Sequence, residues 1–197
     1  MNVRRLGPLF FFLALAVAAP AQDFQIDKAH SQVGFGVRHL MISTVHGRFD
    51  DFSGTIHYDA KDVTKSSVQV SIKTASIDTD NANRDADLHK SEFLDVEKFP
   101  EMTFQSTKVE KRGNEMVLVG DLTLKDVTKQ VEIPFTISGP ITDPWGNQRI
   151  AVEGSTTINR RDYGVVYARK MQDGAAVVGD QVKITLEIEA VVAKSKQ

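Results

Sequence analysis

The stretch from His30 to Tyr58, HSQVGFGVRHLMISTVHGRFDDFSGTIHY, decides the fold. Its first half alternates: Val33, Phe35, Val37 and His39 fall on one face, and Gly34, Gly36 and Arg38 on the other. That period of two marks a half-buried β-strand. Two glycines inside so apolar a strand predict sharp coiling or a close backbone approach, as at the bends of a barrel. MIST (41–44) breaks the pattern, and a second strand from Val45 carries Phe49, Phe52, Ile56 and Tyr58. His39 continues the phase of the apolar positions to the end of its strand. An imidazole is thereby expected where an apolar interior meets a polar opening.

Working outward, the same alternation recurs. The polar turn DAKDVTK (59–65) leads into SSVQVSIKTASI (66–77), a third strand with Val68, Val70 and Ile72 in one phase. The next segment, DTDNANRDADLHKSEFLDVEKFPEM (78–102), does not alternate. Ala86, Leu88, Phe93 and Leu94 recur at helical spacing, Asp80 or Asn81 can cap a first turn, and Pro100 stops further helix. The spacing predicts one or two short helices between Asn83 and Val96, lying across the sheet. Strands then resume. A hairpin around Gly113-Asn114 has Leu118, Leu122 and Leu124 in phase, and a turn at Asp126-Val127-Thr128 follows. Val131, Ile133, Phe135 and Ile137 come next, and Asp143 to Asn147 is a turn by composition. After it run Ile150, Val152 and Ile158, and then the cleanly alternating DQVKITLEIEAVV (180–192). These are about eight antiparallel strands, enough to close into a barrel and so remove exposed edges. A sandwich is the alternative; the glycines at 34, 36, 47, 54, 120 and 154 favour coiling and closure.

The chain has 197 residues, 24 basic and 26 acidic, and no cysteine. Arg4 and Arg5 precede the apolar run Leu9–Ala19, and Ala19-Pro20-Ala21 places small residues where a signal peptidase reads. The run is shorter than the roughly 20 residues of a membrane span. Residues 1–21 are therefore expected to be a signal peptide cleaved after Ala21, leaving a single domain over 22–197 in the periplasm or medium, with no stable membrane span. That domain keeps 22 basic against 26 acidic residues, a net −4, which speaks against nucleic acid. Without cysteine there is no disulfide, no thiolate metal site and no cysteine nucleophile. Stability must come from packing and backbone pairing.

Several segments resemble one family. DKAHSQVGFGVRHLMISTVHGRF (27–49), ASIDTDNANRDADLHKSEFLDVEKFPEMTFQST (75–107), GDLTLKDVTKQV (120–131), INRRDYGV (158–165) and VGDQVKITLEIEA (178–190) are similar, in this order, to the YceI family. Phe24 and Tyr163 stand where the family more often has another aromatic. The resemblance implies an all-β, eight-stranded antiparallel, lipocalin-like barrel with a short helical insertion around residues 83–96. It implies an apolar tunnel for a long-chain isoprenoid such as a polyprenyl pyrophosphate or an isoprenoid quinone, no catalytic residues, and no cofactor beyond that bound lipid. Whether two barrels form a homodimer stays open.

The residues themselves supply candidates. Phe35, Phe49, Phe93, Phe99, Phe104 and Phe135 are expected to form a wall, since aromatics are large apolar surfaces of fixed shape. Ordinary core is the competing reading for each. His39, Arg84 and His89 are expected to face a polar head group at the mouth. His39, His46 and His89 match no zinc spacing, so no metal is expected. Arg84 and Asp85 also read as a buried ion pair pinning the helical insertion. His30-Ser31 reads as a strand cap, and Asn159 to Asp162 as a structural turn. An enzyme acting on the lipid, or a structural protein with a filled barrel, are the other readings.

Overall fold

In a computed structural model that describes residues 21–192, the alternating segments pair into one antiparallel sheet that closes on itself. The strands are β1 (Gln22–Ile26), β2 (Gln32–His39), β3 (Ser43–Phe49), β4 (Phe52–Tyr58), β5 (Ser67–Lys73), β6 (Ile77–Asp78), β7 (Glu101–Arg112), β8 (Glu115–Leu124), β9 (Val127–Thr142), β10 (Gln148–Asn159) and β11 (Val178–Val192). One helix, α1 (Ala82–Leu88), lies between β6 and β7. The ring runs β1-β4-β5-β7-β8-β9-β10-β11 and returns to β1, an eight-stranded closed barrel. The expected signal peptide, apart from Ala21, lies outside the described residues.

Three neighbouring staves of the barrel are each broken in two. β1 pairs with β11 at residues 190–192, and β2 takes over from Val178 to Glu187. β3 and β4 are likewise one stave interrupted at Asp50-Asp51, and β5 and β6 one stave interrupted by a short 3-10 turn at Thr74–Ser76. The breaks support one another. Ser31 Oγ donates to Asp27 O (2.8 Å) and Glu189 O (3.1 Å) and accepts from Glu189 N (2.9 Å). Asp50 N donates to Ser76 O (3.0 Å), and Lys73 N to Asp51 O (2.9 Å). The break at Asp50-Asp51 also shifts the phase. Phe49, at an odd position, and Ile56 and Tyr58, at even ones, all reach the interior.

Three sequence expectations shift. The second strand starts at Ser43 rather than Val45 and does not run unbroken to Tyr58. The β8–β9 turn is Lys125-Asp126, one residue earlier than expected, with Leu124 paired to Val127. Both turn residues have positive φ (50° and 62°), as a two-residue hairpin loop of matching twist requires. The helix ends at Leu88, well before Val96. Asn81 is its cap, accepting from Arg84 N (3.0 Å), and the chain beyond continues as hydrogen-bonded turns. Asp95 has φ +53°, which no continuing helix allows.

The interior holds two apolar clusters. The larger, which includes Val33, Phe49, Ile72, Phe104, Leu118 and Ile133, surrounds the barrel axis. The smaller packs Phe24, Ile56, Tyr58, Ile150 and Ala190 where β1 closes the ring. Close to it Arg149 bridges three acids: Nε to Asp143 (2.8 Å), and Nη1 to Asp27 (2.7 Å) and Glu189 (2.6 Å). The guanidinium, with the amides of Asn147 and Trp145, holds the Asp143 carboxyl well below the usual carboxylate range, and Arg149 then His30 lower Asp27. A depressed carboxyl pKa adds stability above the unfolded value, about 3.9, that is lost as pH falls through the folded value. Melting temperature should therefore fall as pH drops below about 4. Thermal melts of Arg149→Gln should show a shallower acid dependence; an equal slope in both proteins would remove Arg149 from that role.

Candidate functional site: an apolar cavity along the barrel

The closed ring encloses a cavity of about 260 Å³, just under the range of small-molecule pockets. Its wall follows from strand phase. Val33, Phe35 and Val37 of β2, Val68, Val70 and Ile72 of β5, and Val131, Ile133, Phe135 and Ile137 of β9 all line it. The inward residues of β8 and β11 do the same. Only Tyr58, Ser66, Thr156 and Arg160 bring polar side chains to the lining, and no carboxylate or imidazole does so among the described residues. The wall is built of carbon.

Glycines make room for two of its rings. A Cβ on Gly47 would overlap the Phe35 ring, directly across the ladder, and one on Gly120 would overlap Phe104. Phe35 then leans on Phe49 with ring centres 5.8 Å apart.

Five of the six candidate aromatics line the cavity: Phe35, Phe49, Phe93, Phe104 and Phe135. Phe99 does not. Its carbonyl accepts from Thr74 Oγ1 (2.6 Å), and its ring lies under Lys98 Nζ, 4.8 Å from the centroid. The polar candidates also stand off the wall. His39 follows Val37 in phase at the strand's end and pairs with Ser43 and with Val178, which lines the cavity, but is not itself part of the lining. His89 caps α1, and its Nε2 is buried with no hydrogen-bond partner.

Arg84 and Asp85 do not pair with each other as the sequence suggested. Both bond Thr79, which is 4% exposed. Arg84 Nε donates to Thr79 Oγ1 and Nη2 to Thr79 O (both 2.7 Å), while Asp85 Oδ1 accepts from Thr79 N (3.0 Å) and Oγ1. The short helix cannot hold a salt bridge between adjacent residues, so an intervening hydroxyl joins them. Arg84→Gln should leave Thr79 O unpaired and cost about 1–3 kcal/mol. Chemical denaturation reads this, and a variant as stable as the parent would show that Arg84 does not pin the insertion.

Sequence reasoning passed over Arg160 as part of a turn, yet it is the charged residue of the wall, 5% exposed. Nε donates to Gly179 O (2.9 Å), Nη1 to Val165 O (2.8 Å), and Nη2 to Tyr167 O (2.8 Å) and Asp180 (2.9 Å). Burial lowers its pKa, partly offset by Asp180. These bonds tie the 165–178 connection across one end of the barrel. The insertion joins it there: Phe93 stacks on Tyr167 at 4.7 Å, and Val166 N and Tyr167 N donate to Glu92 O (3.1 and 3.2 Å). Lys125 Nζ donates to Ser91 O and Phe93 O (both 2.7 Å) and to Gly164 O (3.1 Å). The signal for Arg160 was present in INRRDYGV, but only the fold shows that it holds a cover in place.

Asp27, His30 and Glu189 come together closely enough to suggest a metal site. Arg149 already donates to both carboxylates, so a cation stands there. His46 is exposed on β3 opposite Gly36, and among the described residues His39, His46 and His89 form no ligand set.

A YceI-like domain profile matches residues 24–190. A UPF0312 protein of Shewanella sp. (strain MR-7) is 42% identical over 179 residues, covering 89% of this chain and 92% of the relative. A Campylobacter jejuni YCEI protein known by crystal structure is 32% identical with TM-score 0.69, over 85% of this chain and 96% of that one. A polyisoprenoid binding domain from Saccharophagus degradans, implicated in plant cell wall breakdown, shares the fold at 16% identity with TM-score 0.66, over 86% and 98% of the two chains. The matched profile spans nearly the whole barrel, from Phe24 in β1 to Ala190 in β11, and the chain belongs to the YceI-like domain family.

Proposed function

We propose that this protein is exported and holds a long-chain isoprenoid lipid, of the polyprenyl pyrophosphate or isoprenoid quinone type, as a carrier or buffer. The observation behind the reading is the carbon wall along the barrel. Each methylene moved from water into such a lining contributes about 0.8 kcal/mol, so a chain of several isoprene units outweighs any one polar contact. The Saccharophagus degradans domain, which is described as polyisoprenoid binding, has the same barrel. A wall without carboxylate or imidazole offers no general acid–base pair, which favours binding over catalysis. The head group belongs at an end of the cavity, since Arg160 is already engaged by carbonyls and Asp180.

Native mass spectrometry of protein purified from its own cells tests the reading. A co-purifying isoprenoid is expected; an empty barrel, or turnover of added lipid, would overturn it. The same spectra test export, through a mature chain beginning at Gln22. Phe35→Ala refines the site. Phe35 is half-buried beside an existing cavity, so its loss should cost less than the roughly 3–5 kcal/mol of a core phenylalanine. Lipid retention should drop instead. Unchanged lipid content together with unchanged melting would remove Phe35 from the wall's working part.

A further inference from the structure

Exposed apolar side chains gather at the two ends of the barrel, with different surroundings. On the β2–β3 turn Met41 is 50% and Ile42 79% exposed, and on the connection after Tyr163 Val166 is 56% exposed. These belong to one end. Leu40 N donates to Val177 O (2.8 Å), Val177 N donates to Arg169 O (3.0 Å), and His39 pairs with Val178. The turn is held in shape: Leu40 and Met41 have φ of 49° and 60°, and Arg38 donates to Met41 O (2.7 Å) and Thr44 Oγ1 (3.3 Å). Arg38, Arg169 and Lys170 are exposed here, and none of the three takes part in an ion pair among the described residues.

The opposite end exposes Ile141 (62%) and Trp145 (80%), the chain's single tryptophan. Between Gly139 and Ile150 the one basic residue is Arg149, already engaged by three carboxylates. Of these two exposed apolar groups among the described residues, only the first is flanked by cations outside any ion pair, three of them against the single nearby carboxylate of Asp173.

We infer that the end carrying Met41, Ile42 and Val166 docks on a lipid bilayer with anionic head groups. The apolar tips reach the acyl boundary while Arg38, Arg169 and Lys170 meet phosphates, the pairing that holds peripheral proteins on such surfaces. The 165–178 connection and the helical insertion cover the cavity at this end, so docking sets the cover against the bilayer. The docking rests on the surface alone, not on what the cavity holds.

Sedimentation with vesicles tests it, with the protein in its mature form. Vesicles of equal parts phosphatidylglycerol and phosphatidylcholine should bind at least about ten-fold more protein than phosphatidylcholine alone, and added salt should release it. Met41→Asp with Ile42→Asp should cut binding about ten-fold with melting unchanged, since aspartate tolerates the left-handed backbone at residue 41. Arg169→Gln with Lys170→Gln should also weaken it. Trp145, at the far end, reports orientation: its emission should not shift on binding. No sedimentation with the anionic vesicles, full binding by the Met41 and Ile42 variant, or a blue shift of Trp145 would each overturn the inference. Loss of docking with lipid still co-purifying would leave the cargo reading standing.

Discussion

Arg160→Met should destabilise the protein by about 3–5 kcal/mol, because it leaves several shielded carbonyls without their donor. Four carbonyls, of Gly179, Val165, Tyr167 and Val178, would lose their Arg160 donor at once, while Asp180 Oδ1 would keep only Arg161 Nε. At roughly 2–4 °C per kcal/mol for a domain of this size, the melting temperature should fall by about 6–20 °C. The loss has a place. Val165 and Tyr167 hold the cover over the cavity, so their amides should exchange with solvent faster than those of β8 or β11. Arg160→Lys should recover little, since one ammonium cannot span carbonyls that a planar fork reaches in several directions. A shift under about 1 kcal/mol, the range of a solvent-exposed pair, would mean that the connection is held without it.

The different visibility of parts of this molecule has physical causes. A strand facing an apolar interior writes its phase into every second residue, so the inward sets of β5, β8, β9 and β11 could be read directly. The same phase brought Phe35, Phe104 and Phe135 to the wall. The breaks in three staves left no such trace, because they are held by bonds between distant residues, such as Ser31 with Glu189. Phase also misleads at a strand's end. His39 follows Val37 in phase and pairs with Val178 of the wall, yet is not itself part of the lining. Arg84 and His89 lie on an insertion whose orientation is set by its cap and by Thr79, neither of which periodicity can report. Arg160 was visible as a basic residue in a turn; its burial depends on a connection that folds back from residue 165.

Phe24→Ala should cost about 3–5 kcal/mol, more than the loss of Phe35 from the cavity lining. Phe24 is fully buried, whereas the Phe35 ring borders the cavity. Its ring meets Tyr58 edge-on, with centres 6.1 Å apart, and packs with Ile56, Ile150 and Ala190. The position matters as much as the burial. β1 is the strand through which the ring closes, and Phe24 pairs with Ile56 of β4 on one side and Val192 of β11 on the other. A hole there loosens the seam that joins first and last strands, a contact between chain segments far apart in sequence. Phe24→Leu should recover most of the stability, because it restores much of the volume without the edge-on contact. Phe24 does not line the cavity, so Phe24→Ala molecules that remain folded should retain lipid like the parent. Comparing the two alanine variants by melting and by native mass spectrometry therefore separates closure from binding. If Phe24→Ala melted like the parent while losing its lipid, the roles assigned to the two phenylalanines would have to be exchanged.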